Sequence, residues 1–249
     1  MAKDIYEGDK GKQIAAIWKY MEDGNKAKVP NGVLGGIIEL KPTDRPIIYR
    51  NFIEGLSPRA IAVGYPEGAN IGWDASSMSL GLIWHGRFID AAKHWQGRGQ
   101  GNQDPLGDHS FKWQKTAAVA ELPSRDTPWP ETTQRDNGYR FLGYRLDKQG
   151  RPSFRYKVGD VEITDQLTAF KAKPDAILQR RLSATTSADN LYVRIATGKV
   201  IEQSPDGYRV DNTITIELET DQQPFIRSAN GRQELLVPLT GEVAHRIHW

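Results

Sequence analysis

The chain has 249 residues, which is long enough for one large domain with a substantial core, and it contains no cysteine. Disulfides, thiolate metal sites, a cysteine nucleophile and the Cys-x-x-Cys-His attachment of c-type haem are therefore excluded for this sequence. The 33 basic and 31 acidic residues are interspersed and give a net charge of +2, so no basic stripe suited to a nucleic-acid backbone is present and nucleic acid is not an expected partner.

The first predicted element is an amphipathic helix over residues 12–23. Its apolar residues follow the helical spacing i, i+3, i+4 and i+7: Ile14, Ile17, Trp18 and Met21. Gly24 stands where a glycine commonly ends a helix, and residues 25–36, rich in Lys, Gly and Pro, indicate a linker. We therefore predict two parts, a helix with its linker at 1–36 and a β domain at 37–249.

The sequence predicts neither a signal peptide nor a membrane span. Its start, from Met1 to Asp4, has no apolar segment, and no run approaches the roughly 20 apolar residues that a membrane helix needs.

From residue 37 onward the pattern is that of β-strands, with short runs rich in Ile, Val, Tyr and Phe between Gly, Pro, Asn or Asp. The predicted strands cover 46–52, 60–65, 78–84, 139–146, 152–158, 161–164, 191–197, 199–203, 208–210, 213–219 and 243–249. The clearest hairpin joins 139–146 to 152–158 through a turn that ends at Gly150. Many strands without a later helix predict a mainly β fold, a two-sheet antiparallel β-sandwich of ordinary or large (supersandwich) size.

Residues 83–101 contain the densest mixture of side chains that carry chemistry: two Trp, two His, two Arg and one Asp, followed by glycines. Indole rings stack on sugars, imidazoles titrate near neutral pH or bind metals, and guanidinium groups bind carboxylates or phosphates. We therefore predict the functional site in this segment.

The first half of the segment has two interpretations. In the functional one, Trp84 is a stacking platform, Arg87 contacts the ligand, and His85 with Asp90 forms a catalytic acid/base pair. In the other, Trp84 is a core residue and the polar side chains are ordinary strand residues. Strand alternation places Trp84 on one face and both His85 and Arg87 on the other.

The second half adds His94 to the catalytic candidates and Trp95 and Arg98 to the ligand-binding candidates. Glycines beside Arg98 would let backbone N–H groups and a guanidinium converge on one anion. The alternative is a packed loop in which Arg98 satisfies buried carbonyl groups. The surrounding pattern contains no βαβ unit, so the glycines do not form a nucleotide fingerprint.

Other chemistries have weaker patterns. Three histidines (His85, His94, His109) and three aspartates (Asp90, Asp104, Asp108) offer metal ligands, but none of their spacings is a recognised motif, so no metal site is predicted. The chain has no Gly-x-Ser-x-Gly elbow. Glycoside cleavage needs two carboxylates at a defined distance from each other, which the sequence does not give. The candidate carboxylates are Glu54, Asp74, Asp90 and Glu162. Arg180, Arg181 and the run from Phe154 to Tyr156 are predicted to be exposed strand residues.

Several longer segments carry a family resemblance. They read RPIIYRNFIEG at 45–55, PRAIAVGYP at 58–66, DAAKHW at 90–95 with GRGQG at 97–101, PLGD at 105–108 and GYRLD at 143–147. Together they resemble the C-terminal all-β module of large multidomain c-type cytochrome proteins of planctomycete-type bacteria, often described as membrane-bound dehydrogenases. The resemblance covers nearly the whole chain.

The resemblance implies an exported, periplasmic redox protein in which a haem-binding cytochrome domain precedes this module. Residues 14–21 are similar to the last helix of that domain. Haem c is expected only on the neighbouring domain, because this chain lacks both the cysteine pair and the axial-ligand segment. The resemblance implies no catalytic residues for the module itself.

Three functions remain open from the sequence. The first is a non-catalytic binding or interaction module, with a saccharide and a neighbouring cytochrome c or dehydrogenase domain as candidate partners. The second is a carbohydrate-active enzyme, an epimerase, lyase or hydrolase, that uses His85, Asp90 and His94 as acid and base. The third is a purely structural domain. The enzyme requires that these three side chains converge in one pocket.

Overall fold

The computed structural model describes residues 37–95, 101–113, 115–186 and 190–249. This part of the chain is mainly β and sandwich-like. The helix and linker predicted within 1–36 lie outside the described residues. Within these residues, helical structure is limited to two short 3-10 helices, Ala92–Trp95 and Arg135–Asn137, and none is long and apolar enough to cross a membrane.

The described residues form nineteen strands. The first ten are β1 (Glu39–Leu40), β2 (Ile47–Tyr49), β3 (Ala60–Gly64), β4 (Ala69–Asp74), β5 (Ser79–His85), β6 (Ile89–Asp90), β7 (Asp108–Lys112), β8 (Val119–Glu121), β9 (Tyr139–Leu146) and β10 (Pro152–Val158). The others are β11 (Val161–Phe170), β12 (Ile177–Ala184), β13 (Leu191–Gly198), β14 (Ile201–Ser204), β15 (Gly207–Val210), β16 (Ile214–Glu219), β17 (Phe225–Ala229), β18 (Arg232–Pro238) and β19 (Glu242–His248).

These strands pair in four sheets rather than the two that the sequence predicted. The orders are β14-β15-β16-β19-β12-β11-β10-β9, β2-β3-β4-β5-β7, β17-β18-β13-β8 and the ribbon β1-β6. All strand pairs in these sheets are antiparallel. The coarse prediction of an antiparallel, mainly β fold is therefore confirmed.

The eight-stranded sheet shares one continuous core with the five- and four-stranded sheets. Buried and half-exposed residues alternate along nearly all of β10 and β11, as in strands that turn one face to a core. Across the core, the ring of Trp73 on β4 lies parallel to that of Phe154 on β10, with centroids 4.3 Å apart. This stacked pair joins the facing sheets.

The five-stranded sheet is covered on both faces, and every residue of β3, β4 and β5 is buried. One face belongs to the main core. The other packs against the β1-β6 ribbon and the loop after β5 in a second core: Ile38, Leu40, Ile53, Ala60, Ala62, Leu82, Trp84, Phe88, Ile89, Ala91 and Ala92. Coverage on both faces explains why apolar residues occupy consecutive positions in these strands, as at 60–63 and 82–84, rather than alternate ones.

A charged network lies inside the main core. Arg180 on β12 is fully buried, and its guanidinium donates to Asp165 from Nε to Oδ1 at 2.9 Å and from Nη2 to Oδ2 at 2.6 Å. The indole N–H of Trp73 donates to the same carboxylate at 3.1 Å. The prediction that Arg180 is exposed was wrong because a bidentate partner lets a guanidinium occupy an inward position. Phe154 and Tyr156 are likewise buried, contrary to prediction.

His245 extends this network on β19, where it lies opposite Arg180 in the strand register. Its side chain is fully buried. Burial, and then the positive charge of Arg180, lower the pKa of His245 to about 3. The imidazole is therefore neutral at physiological pH.

Candidate functional site

Trp84 and His85 project from opposite faces of β5. Trp84 lies in the second core, whereas Nε2 of His85 lies 2.8 Å from the carbonyl oxygen of Ala176, at the start of β12. Successive strand residues alternate between faces, as the sequence predicted. No single surface can therefore use both side chains.

The Trp84 ring is a core residue rather than an exposed stacking platform. Its exposed fraction is 0%, and its ring is parallel to that of Phe88 with centroids 5.8 Å apart. The indole N–H points to the carbonyl oxygens of Arg87 and Phe88, each at 3.1 Å. Trp84 thus fixes the loop that follows β5, which is the core alternative stated above.

Arg87 does not share the face of His85, because the chain turns at Gly86, which has a φ of 78°. The Arg87 side chain is 51% exposed and lies 2.8 Å from Glu39 of β1, measured from Nη2 to Oε2. Hydrogen bonding to Glu39 and the charge of that carboxylate raise the pKa of Arg87. This contact is an ordinary surface ion pair.

Asp90 stabilises the backbone, and its hydrogen-bond partners among the described residues do not include His85. Its Oδ1 accepts hydrogen bonds from the backbone N–H groups of Ile38 and Ala92, both at 2.9 Å. These two bonds join the start of β1 to the beginning of the 3-10 helix. The predicted pair of His85 and Asp90 is therefore not formed.

His94 lies in another environment again. It is exposed, its Nδ1 is hydrogen-bonded to the Asn51 side chain, and its ring meets Tyr49 edge to face at 6.4 Å. Trp95 ends the 3-10 helix, but its side chain, like the whole of Arg98, lies outside the described residues. Neither ligand-binding prediction for these two residues is addressed by the fold.

The three predicted catalytic residues thus contact three different parts of the structure. His85 contacts Ala176 just before β12, Asp90 binds the backbone N–H groups of Ile38 and Ala92 beside the ribbon, and His94 contacts the loop after β2. General acid/base catalysis requires its groups within reach of one substrate. The enzyme hypothesis in that form therefore loses its geometric basis.

His85 instead belongs to a set that we call the His85 cluster: His85, His109, Asp175 and Trp249. The His85 ring is 3% exposed and lies parallel to the Trp249 ring at 3.9 Å. His109 meets it edge to face at 6.0 Å. One ligand-type atom from each of the two histidines and Asp175 lies within 4.8 Å of the others. These three residues are the described group that could hold a metal ion.

A second polar site, the Trp113 cleft, has a volume of about 430 Å³. Its described lining consists of Gly55, Leu56, Ser57, Asp74, Ser76, Ser77, Gly81, Lys112, Trp113, Lys115, Glu131, Thr132 and Thr133. Trp113 follows β7, is half-buried, and meets Phe111 edge to face at 5.8 Å. An aromatic side chain, two lysines and several hydroxyls therefore share one opening.

Asp74 organises the base of the Trp113 cleft. Oδ1 accepts hydrogen bonds from the Ser57 hydroxyl at 2.6 Å and from the Ser76 N–H at 2.8 Å. Oδ2 accepts from the Ser57 N–H at 2.8 Å. The Thr133 hydroxyl donates to the Ser76 carbonyl at 2.5 Å and so attaches residues 131–133 to this base. The carboxylate thus serves as an anchor with both oxygens occupied.

The chain matches no known family model and no curated protein sequence.

Sequence reasoning missed most of these residues. Lys112, Trp113 and Glu131 lie in a stretch with weak strand signals, and Asp175 and Trp249 are far from His85 along the chain. A tryptophan with a lysine on each side was the local signal that could have drawn attention to residues 112–115.

Proposed function

We propose that this chain is a non-catalytic binding module that holds a saccharide in the Trp113 cleft. The observation that carries the proposal is the combination of a half-buried indole with hydroxyl, ammonium and carboxylate groups on one rigid base. Sugars present apolar C–H faces and many hydroxyls, so they bind where an aromatic ring adjoins directed polar groups.

The polar groups of the cleft suit this chemistry. Lys112 and Lys115 are exposed cations that donate hydrogen bonds, and Glu131 is an exposed carboxylate that accepts them. Ser57 and Ser76 lie at the base, where their hydroxyl oxygens are 2.9 Å apart. Lys112 and Lys115 could each donate a charge-assisted hydrogen bond to a carboxylate or sulfate group of a saccharide, and Glu131 could accept one from a sugar hydroxyl.

The composition of the cleft favours binding over catalysis. None of the described residues that line it is a histidine. The Ser57 hydroxyl donates a hydrogen bond to the Asp74 carboxylate, whereas a serine nucleophile is usually activated by a neighbouring histidine or amine. Asp74 in turn is 7% exposed and hydrogen-bonded through both oxygens, which leaves it poorly placed for glycoside cleavage.

The biological setting of the module is a second part of the proposal and rests on the resemblance described above. In this setting the chain is part of an exported, periplasmic protein and lies beside a c-type cytochrome or dehydrogenase domain that carries the haem. The module would then bring a polysaccharide to a redox partner without handling electrons itself.

The test is a binding screen of neutral, carboxylated and sulfated oligosaccharides, followed by calorimetry on the full chain. We expect Lys112→Ala and Lys115→Ala to weaken the best ligand, each by about tenfold, the effect of one lost charged hydrogen bond. Trp113→Phe should weaken it less. Lys148→Ala, in the exposed turn after β9, is the matched control and should change nothing.

Two results would contradict the proposal. One is the absence of saturable binding to any saccharide class, and the other is a ligand whose affinity is the same in all variants. If a c-type cytochrome domain bound at the cleft and saccharides did not, the module would be a protein-interaction module and not a carbohydrate-binding one.

A further inference from the structure

We infer that His85, His109 and Asp175 form a binding site for a divalent transition-metal ion of the zinc type. The three side chains come from the end of β5, the beginning of β7 and the loop before β12. Their potential ligand atoms all lie within 4.8 Å of one another. Two imidazoles and one carboxylate form a donor set common among zinc sites that keep one position open.

The ring of His85 is held in an orientation that suits a metal ligand. Its Nε2 lies 2.8 Å from the carbonyl oxygen of Ala176, and a neutral ring that donates this N–H keeps its lone pair on Nδ1. Nδ1 is buried and has no hydrogen-bond partner among the described residues. Metal-bound histidines usually donate their other N–H to a carbonyl or carboxylate, which fixes the ring and makes it a better donor.

The chain also holds His109 close to this ring. Asp108 pairs with His85 in the register of β7 and β5. At Gly107 the backbones approach so closely that a Cβ atom would lie 1.7 Å from the His85 carbonyl oxygen, so only glycine fits there. His109 itself has a left-handed backbone with φ of 46°, a conformation that costs energy in a non-glycine residue and clusters at functional sites.

Trp249 completes the arrangement from the C-terminal end of the chain. Its ring covers His85 at 3.9 Å between centroids, and its indole N–H donates to the carbonyl oxygen of His109 at 2.9 Å. One residue therefore orients both histidines. Such supporting contacts are what a metal site needs in addition to its ligands.

The surroundings allow an ion to enter. A cleft of about 540 Å³ borders His85 and Asp175 and opens to solvent. The nearby charges include the carboxylates of Glu67 and Asp108 and the ammonium groups of Lys171 and Lys173. Donor atoms on one zinc ion lie about 3.4 Å apart, so the exposed His109 side chain would adjust its position to bind. A water molecule from the cleft would fill the open position.

The experiment is a calorimetric titration of the full, untagged chain with zinc chloride, repeated with cobalt(II) to record its visible absorption. We expect one ion per chain and a cobalt spectrum typical of four- or five-fold coordination. His109→Ala and Asp175→Asn, which change side chains at the rim of the cleft, should each weaken binding by about tenfold or more. His94→Ala removes an exposed histidine outside the cluster and should leave the affinity unchanged.

Three results would overturn the inference. They are no saturable binding by the wild-type chain, an affinity that His109→Ala and Asp175→Asn leave unchanged, and an octahedral cobalt spectrum typical of a hydrated surface ion. Circular dichroism of each variant distinguishes lost ligation from lost folding. Any loss of zinc binding in a variant with a wild-type spectrum and melting temperature therefore reports on the ligand itself.

Discussion

The protein buries two histidines, His85 and His245, in environments that give them opposite properties. His245 lies between the two layers of the main core, with 0% exposure, and neither ring nitrogen has a hydrogen-bond partner among the described residues. His85 is 3% exposed, but it lies at the end of β5, where the carbonyl oxygen of Ala176 is hydrogen-bonded to one ring nitrogen and the exposed His109 lies beside the ring.

The contrast teaches that burial alone does not make a histidine functional. Burial, and then the positive charge of Arg180, lower the pKa of His245 and so disfavour its protonation. His85 has a carboxylate and a second imidazole within reach, and a cleft that leads to solvent. A buried imidazole is a candidate metal ligand where other ligand side chains lie beside it and solvent can reach it. Where both are missing, the imidazole only fills space in the core.

The largest effect is expected from the charged network around His245. Asp165→Ala removes the carboxylate that binds Arg180 and Trp73, and it leaves a guanidinium unpaired inside the core. We expect the free energy of unfolding to fall by about 3–5 kcal/mol, the usual cost of breaking a buried ion pair on one side. Urea denaturation followed by tryptophan fluorescence measures the change.

The control for this prediction removes both charges. Asp165→Leu combined with Arg180→Met should cost much less than Asp165→Ala, because no buried charge is left without a partner. Equal losses in the single and double variants would mean that packing around these residues, not their charge, governs stability.

The second prediction concerns pH. The pKa of His245 is about 3 in the folded chain and near 6.5 when unfolded, so the unfolded chain binds the proton first as the pH falls. Stability from the neutral ring is therefore complete above about pH 6.5 and is lost progressively toward about pH 3. Between about pH 7 and about pH 4.5 this group should lower the free energy of unfolding by about 2 kcal/mol.

His245→Leu is the matched variant, since it removes the titrating group from the same site. Its free energy of unfolding should fall less steeply over this pH range than that of the wild-type chain, and the difference between the two curves isolates His245. Parallel curves would show that this ring is protonated in the folded state as readily as in the unfolded one.

The contrast between these regions also shows what the sequence can predict. The hairpin of β9 and β10 has the predicted bounds, Tyr139–Leu146 and Pro152–Val158, because alternation and a turn with Gly150 at φ of 80° both specify it. Strand β11 was predicted to end at Thr164 but continues to Phe170. Asp165 interrupts the apolar alternation there, and its partner Arg180 comes from another strand.

The candidate sites were less predictable because their residues, like Asp165 and Arg180, come from different strands. The position of His85 in a chemically rich segment was apparent from the sequence, and so was the opposite orientation of Trp84. The partners Asp175 and Trp249 reach His85 only through the pairing of β12 with β19 and through the packing of the C-terminus. No local pattern encodes such contacts, because they depend on the order of strands in the sheets.

The third prediction tests the cover over His85. Trp249→Ala removes the stacked ring and should lower the free energy of unfolding by about 1–2 kcal/mol, from lost stacking and lost apolar burial. The larger change should be in the reactivity of His85, because its ring becomes accessible to diethylpyrocarbonate. Mass spectrometry of modified peptides should show His85 labelled in the variant and protected in the wild-type chain, with His245 protected in both.

Trp249→Phe separates the two roles of this residue. The phenyl ring keeps the stacking but cannot donate to the His109 carbonyl. We expect protection of His85 to persist and zinc binding to weaken. If His85 were labelled equally in all three chains, Trp249 would not be its cover.

The smallest effect is expected two residues beyond His85, at Arg87. Its ion pair with Glu39 is on the surface, with the Arg87 side chain 51% exposed, so Arg87→Ala should leave the free energy of unfolding almost unchanged, as measured by urea denaturation. A double-mutant cycle with Glu39→Gln should give a small coupling that shrinks further in high salt, because exposed charges are screened. Saccharide and zinc affinities should both be unchanged. A strong loss of either affinity would mean that Arg87 contacts a ligand, as the sequence predicted. It would also contradict the separation of Arg87 from His85 that the fold shows.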